Sequence, residues 1–498
     1  MIVVNLLRLA GLLLLLAAPA AASAEWREAE TAHFRIFSEG GDARLLRFAE
    51  RLEMLDTLLR KATGTPAEVP PVKVRIILFD NVQQVQQIYR TKGKPISGFY
   101  TVNMHGPLAV APRREGDESI LSLPEIILFH EYAHHFLLQY APGSYPAWYT
   151  EGFAEIASTA AIMSGGKMAW GKPADARQYS LTSSRWVPIR SLLTQTYSAF
   201  PADADFYGQS WLLAHYLTFS QERAGQLRRY LALLAAGRPQ GDAATEAFGD
   251  LDVLNQEVRQ YLAKGSFPYR AVPIEAPHRS SIALRTLGPG EAALMREAAA
   301  FRDEVSDEER APWLAQFRAK AARFPSDPYV LRMLADAEYV AEDYAAAKAT
   351  ADRLLAIVPD DVKGLTRKGM ILLREAEDLD GAERGAKVAE ARKLILTANK
   401  KDPDDPHALV AFYQSYRVGG ERPPAVAVEG LRQAVGTIPQ DSGPRMLLAS
   451  QLANEGRFAE AIHYLGPVAY DPHPSGAQAA ALAFIQKLRQ AMAAPKKQ

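Results

Sequence analysis

Two imidazoles and a carboxylate at fixed spacing open this sequence to metal chemistry. His130 and His134 stand four residues apart in His130-Glu131-Tyr132-Ala133-His134. On a helix, that spacing sends both rings from one face, a turn apart, where they can reach one ion. Glu131 is rotated about 100° from His130. It lies beside such an ion rather than on it, where a carboxylate can take a proton from water and return it to a leaving amine. Two imidazoles and one further carboxylate leave a position open on zinc, which brings water toward a pKa of about 7 and polarises a peptide carbonyl. The third ligand is expected from Trp148-Tyr149-Thr150-Glu151-Gly152-Phe153-Ala154-Glu155. There Glu151 and Glu155 fall one turn apart on the next helix, and both can face the first.

These side chains need rigid elements to hold them. Ser122-Leu123-Pro124-Glu125 has the capping-box form, and the apolar run after it continues to Tyr140 before Ala141-Pro142-Gly143 stops it. A second helix is expected from about Pro146 to Met163, a third from about Phe206 to Ser220, and further helices to Lys264. Upstream, His33 to Phe37 alternates, Leu45 to Leu59 has helical periodicity, and Pro71 to Phe79 is a β-branched run stopped at Asp80-Asn81. Gly98 to Asn103 and Leu108 to Ala111 read as a hairpin turning at His105-Gly106-Pro107. The strand Leu108 to Ala111, just before the His-bearing helix, is expected to accept an extended substrate as an added strand.

The stretch around Glu151 resembles the second half of the gluzincin signature, in which a helix bearing Trp-x-x-Glu-Gly-x-Ala follows the His-Glu-x-x-His helix. The resemblance implies an α+β zincin-like domain, with a small mixed β-sheet and active-site helices. It implies Glu151 as third zinc ligand and Glu155 as the carboxylate that orients a ligating His. It also implies an oxyanion donor on a downstream helix. Tyr207 and His215 are the candidates, and Tyr207, near its helix start, is preferred. His215 sits within an apolar face and reads as a core histidine, and His135 points away from His134 and reads as structural. The chain also departs from the family. Only 16 residues separate His134 from Glu151, no Gly-x-Met-Glu-Asn segment precedes the helix, and Leu137 stands where a metzincin has Gly. Lack of the amine-recognition segment favours internal cleavage over exopeptidase action.

A different regularity fills the C-terminal half. Tyr344, Ala347, Leu354, Pro359 recur as Val388, Ala391, Ala398, Pro403, then Pro424, Ala427, Ala434, Pro439, then Phe458, Ala461, Val468, Pro472. The terminating prolines, counted from Pro325, are 34, 44, 36 and 33 residues apart, and the 44 is attributed to an insertion near Glu375 to Gly385. That is the period of helix-turn-helix repeats, and Glu455 to Ile462 resembles the tetratricopeptide family. Small Ala positions suit it because paired helices approach closely only where side chains are short.

Composition bounds the rest. The chain has 498 residues, 48% of them hydrophobic, enough to bury more than one core. Lys plus Arg and Asp plus Glu both number 57, which removes the electrostatic case for a nucleic-acid partner. Arg8, the apolar Leu9 to Ala18 and Ala22-Ser23-Ala24 read as an export signal, placing the mature protein in a periplasm or outside the cell without a stable membrane span. There is no cysteine, so no disulfide can help to hold it. The expected layout is a signal peptide (1–24), a metallopeptidase domain (25–265), a Pro- and Gly-rich linker (266–290) and an all-α tetratricopeptide-like superhelix (291–493) closed by a capping helix. The expected function is a zinc-dependent peptidase, acting inside peptide or protein chains, whose repeats bind a protein partner or substrate. The alternative is a scaffold with a structural or inactive zincin domain and working repeats.

Overall fold

The computed structural model describes residues 25–89, 96–113, 121–141, 143, 145–195, 199–471 and 476–493. The export signal expected at residues 1–24 lies outside them, as do Pro142, expected to stop a helix, and the last repeat proline, Pro472.

The N-terminal part runs β1 (Arg27–Glu30), β2 (Phe34–Ser38), α1 (Asp42–Thr63), β3 (Val74–Phe79), α2 (Val82–Ile88), β4 (Phe99–Asn103) and β5 (Gly106–Pro112). It continues with α3 (Leu123–Tyr140), α4 (Ala147–Ser158), β6 (Ala161–Met163), β7 (Lys167–Trp170), α5 (Asp175–Ser183), α6 (Ile189–Thr194), α7 (Phe206–Phe219), α8 (Gln226–Ala235), α9 (Gln240–Phe248) and α10 (Leu251–Lys264). Helix α4 ends five residues before the expected Met163. Gly165 and Gly166, both at positive φ, turn the chain so that β6 pairs with β7 instead.

The stretch read as a linker holds β8 (Arg270–Pro273) and β9 (Ala283–Thr286). Strand β8 pairs antiparallel with β7, and β9 pairs antiparallel with β1. Its prolines therefore bracket short strands rather than loosening a tether, as Pro can at strand ends and sheet edges. The large sheet has the order β4-β5-β3-β2-β1-β9, with β5, β3 and β2 mutually parallel at its centre. Strand β5, expected to be open to a substrate, is paired on both sides, and β4 is the edge strand beside it.

Side chains alternate across the sheet. Phe34, Ile36, Ile76, Leu78 and Ala109 enter a core shared with α1, α3, α4 and α7. Phe37, Ile77, Phe79, Leu108 and Val110 enter a second core built with Leu294, Met295, Phe301, Phe317, Val330 and Met333. Burial on both faces explains why Val74 to Phe79 is a nearly unbroken apolar run.

The second core is where the helical array docks. It comprises α11 (Pro289–Ala293), α12 (Met295–Ala299), α13 (Asp307–Ala321), α14 (Pro328–Val340), α15 (Tyr344–Ile357), α16 (Val362–Glu377), α17 (Gly381–Lys401), α18 (Pro406–Val418), α19 (Ala425–Thr437), α20 (Ser442–Asn454), α21 (Phe458–Ala469) and α22 (Gly476–Ala493). From α14 onward these form consecutive pairs. The four repeated segments are the second helices, and their shared small residues, Ala347, Ala391, Ala427 and Ala461, are fully buried. Each first helix starts on an aspartate, Asp327, Asp361, Asp405 or Asp441, whose side chain accepts a backbone N–H of the first turn. Each of these aspartates stands two residues after a repeat proline, so Pro-x-Asp marks every repeat start.

Candidate metal centre

Helix α3 begins with the capping box expected of it, Ser122 N–H donating to Glu125 Oε2 at 2.9 Å. Its rotation is set by buried polar contacts with α1. Tyr132 donates its hydroxyl to Asp56 Oδ1 at 2.6 Å, and Arg51 meets Glu125 Oε1 at 2.6 Å. With Tyr132 turned to α1, the ring two residues before it and the ring two residues after it face the opposite way, toward α4.

There three donor atoms meet. The Nε2 atoms of His130 and His134 are 3.1 Å apart, and Glu151 Oε2 lies 3.2 Å from the first and 3.5 Å from the second. A four-coordinate zinc ion with bonds of about 2.0–2.1 Å holds its ligand atoms about 3.3 Å apart. The near-equilateral triangle therefore fits one such ion without rearrangement. Glu151 is fully buried, on a helix whose first turn follows Pro146. Burial disfavours its charge, but the His134 and His130 rings outweigh this and hold the carboxyl well below the usual range. Burial likewise disfavours the imidazolium of His130, yet Glu151, Glu155 and Glu131 together raise it to about 9. Two rings and a buried carboxylate thus balance one another around a point that would suit a cation.

Glu155 Oε1 lies 3.5 Å from Nδ1 of His130, the nitrogen turned away from the triangle, and is itself held by Arg177 at 2.6 Å. The half-buried Glu131 acts on both His130 and Tyr100 through its charge. Tyr207 is in the first turn of α7, its ring centroid 6.4 Å from that of His130, with the Arg177 guanidinium 5.1 Å from its own ring centre. Helix α7 can come this close because residue 152 is glycine. A Cβ there would collide with the Ser210 carbonyl and lie 2.6 Å from Ala214 Cβ.

His215 is elsewhere. Its Nε2 is 2.8 Å from the Gly171 carbonyl and its Nδ1 is 2.9 Å from the Tyr261 hydroxyl, and burial lowers its pKa to about 4. His135 stacks on Tyr132 and meets Tyr100 and Gln440 through Nδ1, each at 3.0 Å. Arg177, Tyr100 and Gln440 come from three distant segments and carry no motif that would have flagged them. Asp56 did leave a trace, as part of a polar row, Glu53, Asp56, Arg60, on the otherwise apolar face of α1.

A second acidic group, His33, Glu53 and Asp56, is comparably tight. Asp56 already holds the Arg60 guanidinium at 2.6 Å and the Tyr132 hydroxyl, so this is an ion-pair network bracing α1 against α3. A cavity of about 710 Å³ bounded by Arg44, Arg47, Arg51, Arg113, Glu39 and Glu125 does not include the His130–His134–Glu151 triangle.

No family model matches the chain, and no curated protein does. Among solved structures, part of it is similar to a tetratricopeptide-repeat protein of Thermus thermophilus, TTC0263, at 20% identity and a TM-score of 0.32, covering 39% of this chain and 93% of that one. It is also similar to MamA of Desulfovibrio magneticus, at 16% identity and a TM-score of 0.25, covering 37% of this chain and 88% of that one. The C-terminal half is tetratricopeptide-like in its own helix pairs, their buried small residues and their Pro-x-Asp period. No helix among the described residues is long and apolar enough to cross a membrane.

Proposed function

We propose that this protein is a zinc-dependent hydrolase of the gluzincin kind, exported from the cytoplasm and cleaving peptide bonds within peptide or protein chains. The observation that carries the reading is the 3.1–3.5 Å triangle of His130, His134 and Glu151 donor atoms with Glu131 beside it. Zinc bound by these three residues supplies Lewis acidity, which acidifies water and polarises a carbonyl. Glu131 takes the proton from the attacking water and passes it to the leaving amine. Glu155, braced by Arg177, fixes the ring of His130 through Nδ1. The hydroxyl of Tyr207 donates to the oxygen on which charge develops. An extended substrate adds to the open edge of β4, at the strand whose Tyr100 senses Glu131.

The test is metal analysis of the purified mature chain, paired with cleavage of an unbiased peptide library. Stoichiometric zinc and internal cuts that vanish in Glu131→Gln support the reading. Absence of zinc, or a Glu131→Gln variant as active as its parent, removes it.

A second reading has its own observation. A cavity of about 690 Å³ along the first helices of the array, bounded by Tyr339, Met370, Leu373, Arg374, Gln414 and Arg417, offers a protein partner aromatic and cationic contacts. On this reading the repeats do the biological work. Partner capture that survives replacement of both His130 and His134, but is lost in Arg374→Ala/Arg417→Ala, would favour it.

A further inference from the structure

The array touches the elements around the metal-binding triangle at two places. The first is the end of α19 and the loop that follows it to α20, which lie over α3. Gln440 Nε2 is 3.0 Å from Nδ1 of His135, and Gln139 donates in return to the Gly436 carbonyl at 3.2 Å. The second is the β4–β5 turn. Met104 N–H donates to Asp303 Oδ1 at 3.0 Å, and its sulfur lies 3.1 Å from Nη2 of Arg367. His105 Nε2 is 3.7 Å from Asp336 Oδ2, and Arg367 Nε donates to Asp336 Oδ1 at 2.7 Å. Asp336 and Arg367 lie on α14 and α16, first helices of successive pairs. Repeat arrays commonly take ligands on the surface such helices line; here the chain's own turn occupies part of it.

Strand β4 is strung between these two anchors. Tyr100, near its start, meets the same nitrogen of His135 that Gln440 meets, and Met104 follows its last residue. As one of the two edge strands of the sheet, β4 has a strand neighbour on one side only, so contacts outside the sheet must fix its position on the other. His135 is the residue after His134, so whatever fixes it relative to β4 also fixes the distance from that edge to the ligand-bearing face of α3.

We propose that the repeat array is a positioning element for the metal centre, and that Gln440 is its positioning residue. Gln440 and the Tyr100 hydroxyl share the one hydrogen-bonding position of a His135 ring nitrogen, each 3.0 Å from it, and this three-way contact sets the register of β4 against α3. The effect on hydrolysis rests on the metal-site reading, whereas the placement of β4 does not.

The experiment uses the full mature chain loaded with zinc, in parent form and as Gln440→Met, which keeps the length of the side chain and removes its N–H. Gln433→Ala is the control, since the bonds of Gln433 run within the array, to Pro403 and Asp404. Amide hydrogen exchange is followed in β4 and α3, zinc affinity by chelator competition, and peptide hydrolysis as kcat and KM separately. In Gln440→Met, the β4 amides bonded to β5 should exchange about tenfold faster and kcat should fall about tenfold, with KM and zinc affinity within about twofold, because misplacement of a bound chain by an ångström costs rate rather than binding. Exchange in β4 equal to that of Gln433→Ala overturns the proposal, as does an unchanged kcat in an active parent. A parent that binds no zinc removes the hydrolase reading instead, and exchange in β4 then decides the proposal by itself.

Discussion

The helices around the His130–His134–Glu151 triangle and the helices of the repeat array spend their buried polar groups in opposite ways. On α3 and α4, His130, His134, Glu151 and Glu155 converge, with contacts of 3.1–3.5 Å linking each to the next. In the array, buried or half-buried charges are dispersed along its length in separate ion pairs, among them Arg332 with Asp361, Lys363 with Asp405, and Arg318 with Glu338. Capping aspartates recur at every first helix in the same way. Convergence makes chemistry possible and makes the region sensitive to single atoms. Dispersion gives a fold that tolerates loss of any one contact.

The contrast is most exposed to test at Glu131. Replacing it with Gln should lower the hydrolysis rate by about 10²–10⁴-fold, the usual worth of a positioned general base, while thermal stability and bound zinc are retained. A rate within a factor of a few of the parent would break the comparison on its chemical side. Next in size is the buried imidazole of His215. Its pKa of about 4 in the folded chain lies below the free value near 6.5, so the unfolded chain binds the extra proton between these limits. Its stabilising contribution is therefore complete above pH 6.5 and is lost as pH falls toward 4, by up to about 3 kcal/mol. Urea unfolding across that range should give a shallower acid slope for His215→Gln than for the parent; equal slopes would remove the effect.

Smaller is Glu155→Ala, expected to weaken zinc binding by about 10–100-fold through loss of its hold on His130 Nδ1, measured by chelator competition. At the lower end, Asp327→Ala should cost about 1 kcal/mol by leaving the first turn of α14 uncapped, read as a shift in the urea midpoint. An array substitution of this kind that abolished folding would show the repeats to be as convergent as α3 and α4.

Sequence and structure agree where the signal is local. The capping box, the four-residue spacing of His130 and His134, and the one-turn spacing of Glu151 and Glu155 are decided within a few residues, and helix geometry carries them into space. The repeats were legible through their prolines, although the aspartate two residues on is the atom-level cause of each helix start. What was not legible depends on partners far along the chain. Strands β8 and β9 have four residues each, sit among prolines, and exist only because β7 and β1 offer them hydrogen bonds. The edge position of β4 follows from strand order, which no periodicity encodes. Tyr100, Arg177 and Gln440 are ordinary polar residues until the fold brings them to the neighbourhood of α3. Within 266–290, read as a linker, the two strands escape notice for the same reason, since a short strand and a loop look alike without the neighbour.

Gly152 shows how a site can be vulnerable where it carries no chemistry. It is the point at which α4 and α7 lie backbone to backbone, so any side chain there acts as a wedge between two levers. Gly152→Ala would swing the start of α7, and the phenol of Tyr207 with it, away from His130, while every donor side chain kept its identity. Selection on this centre therefore reaches beyond the atoms that could grip an ion, to a position defined only by how thin it is.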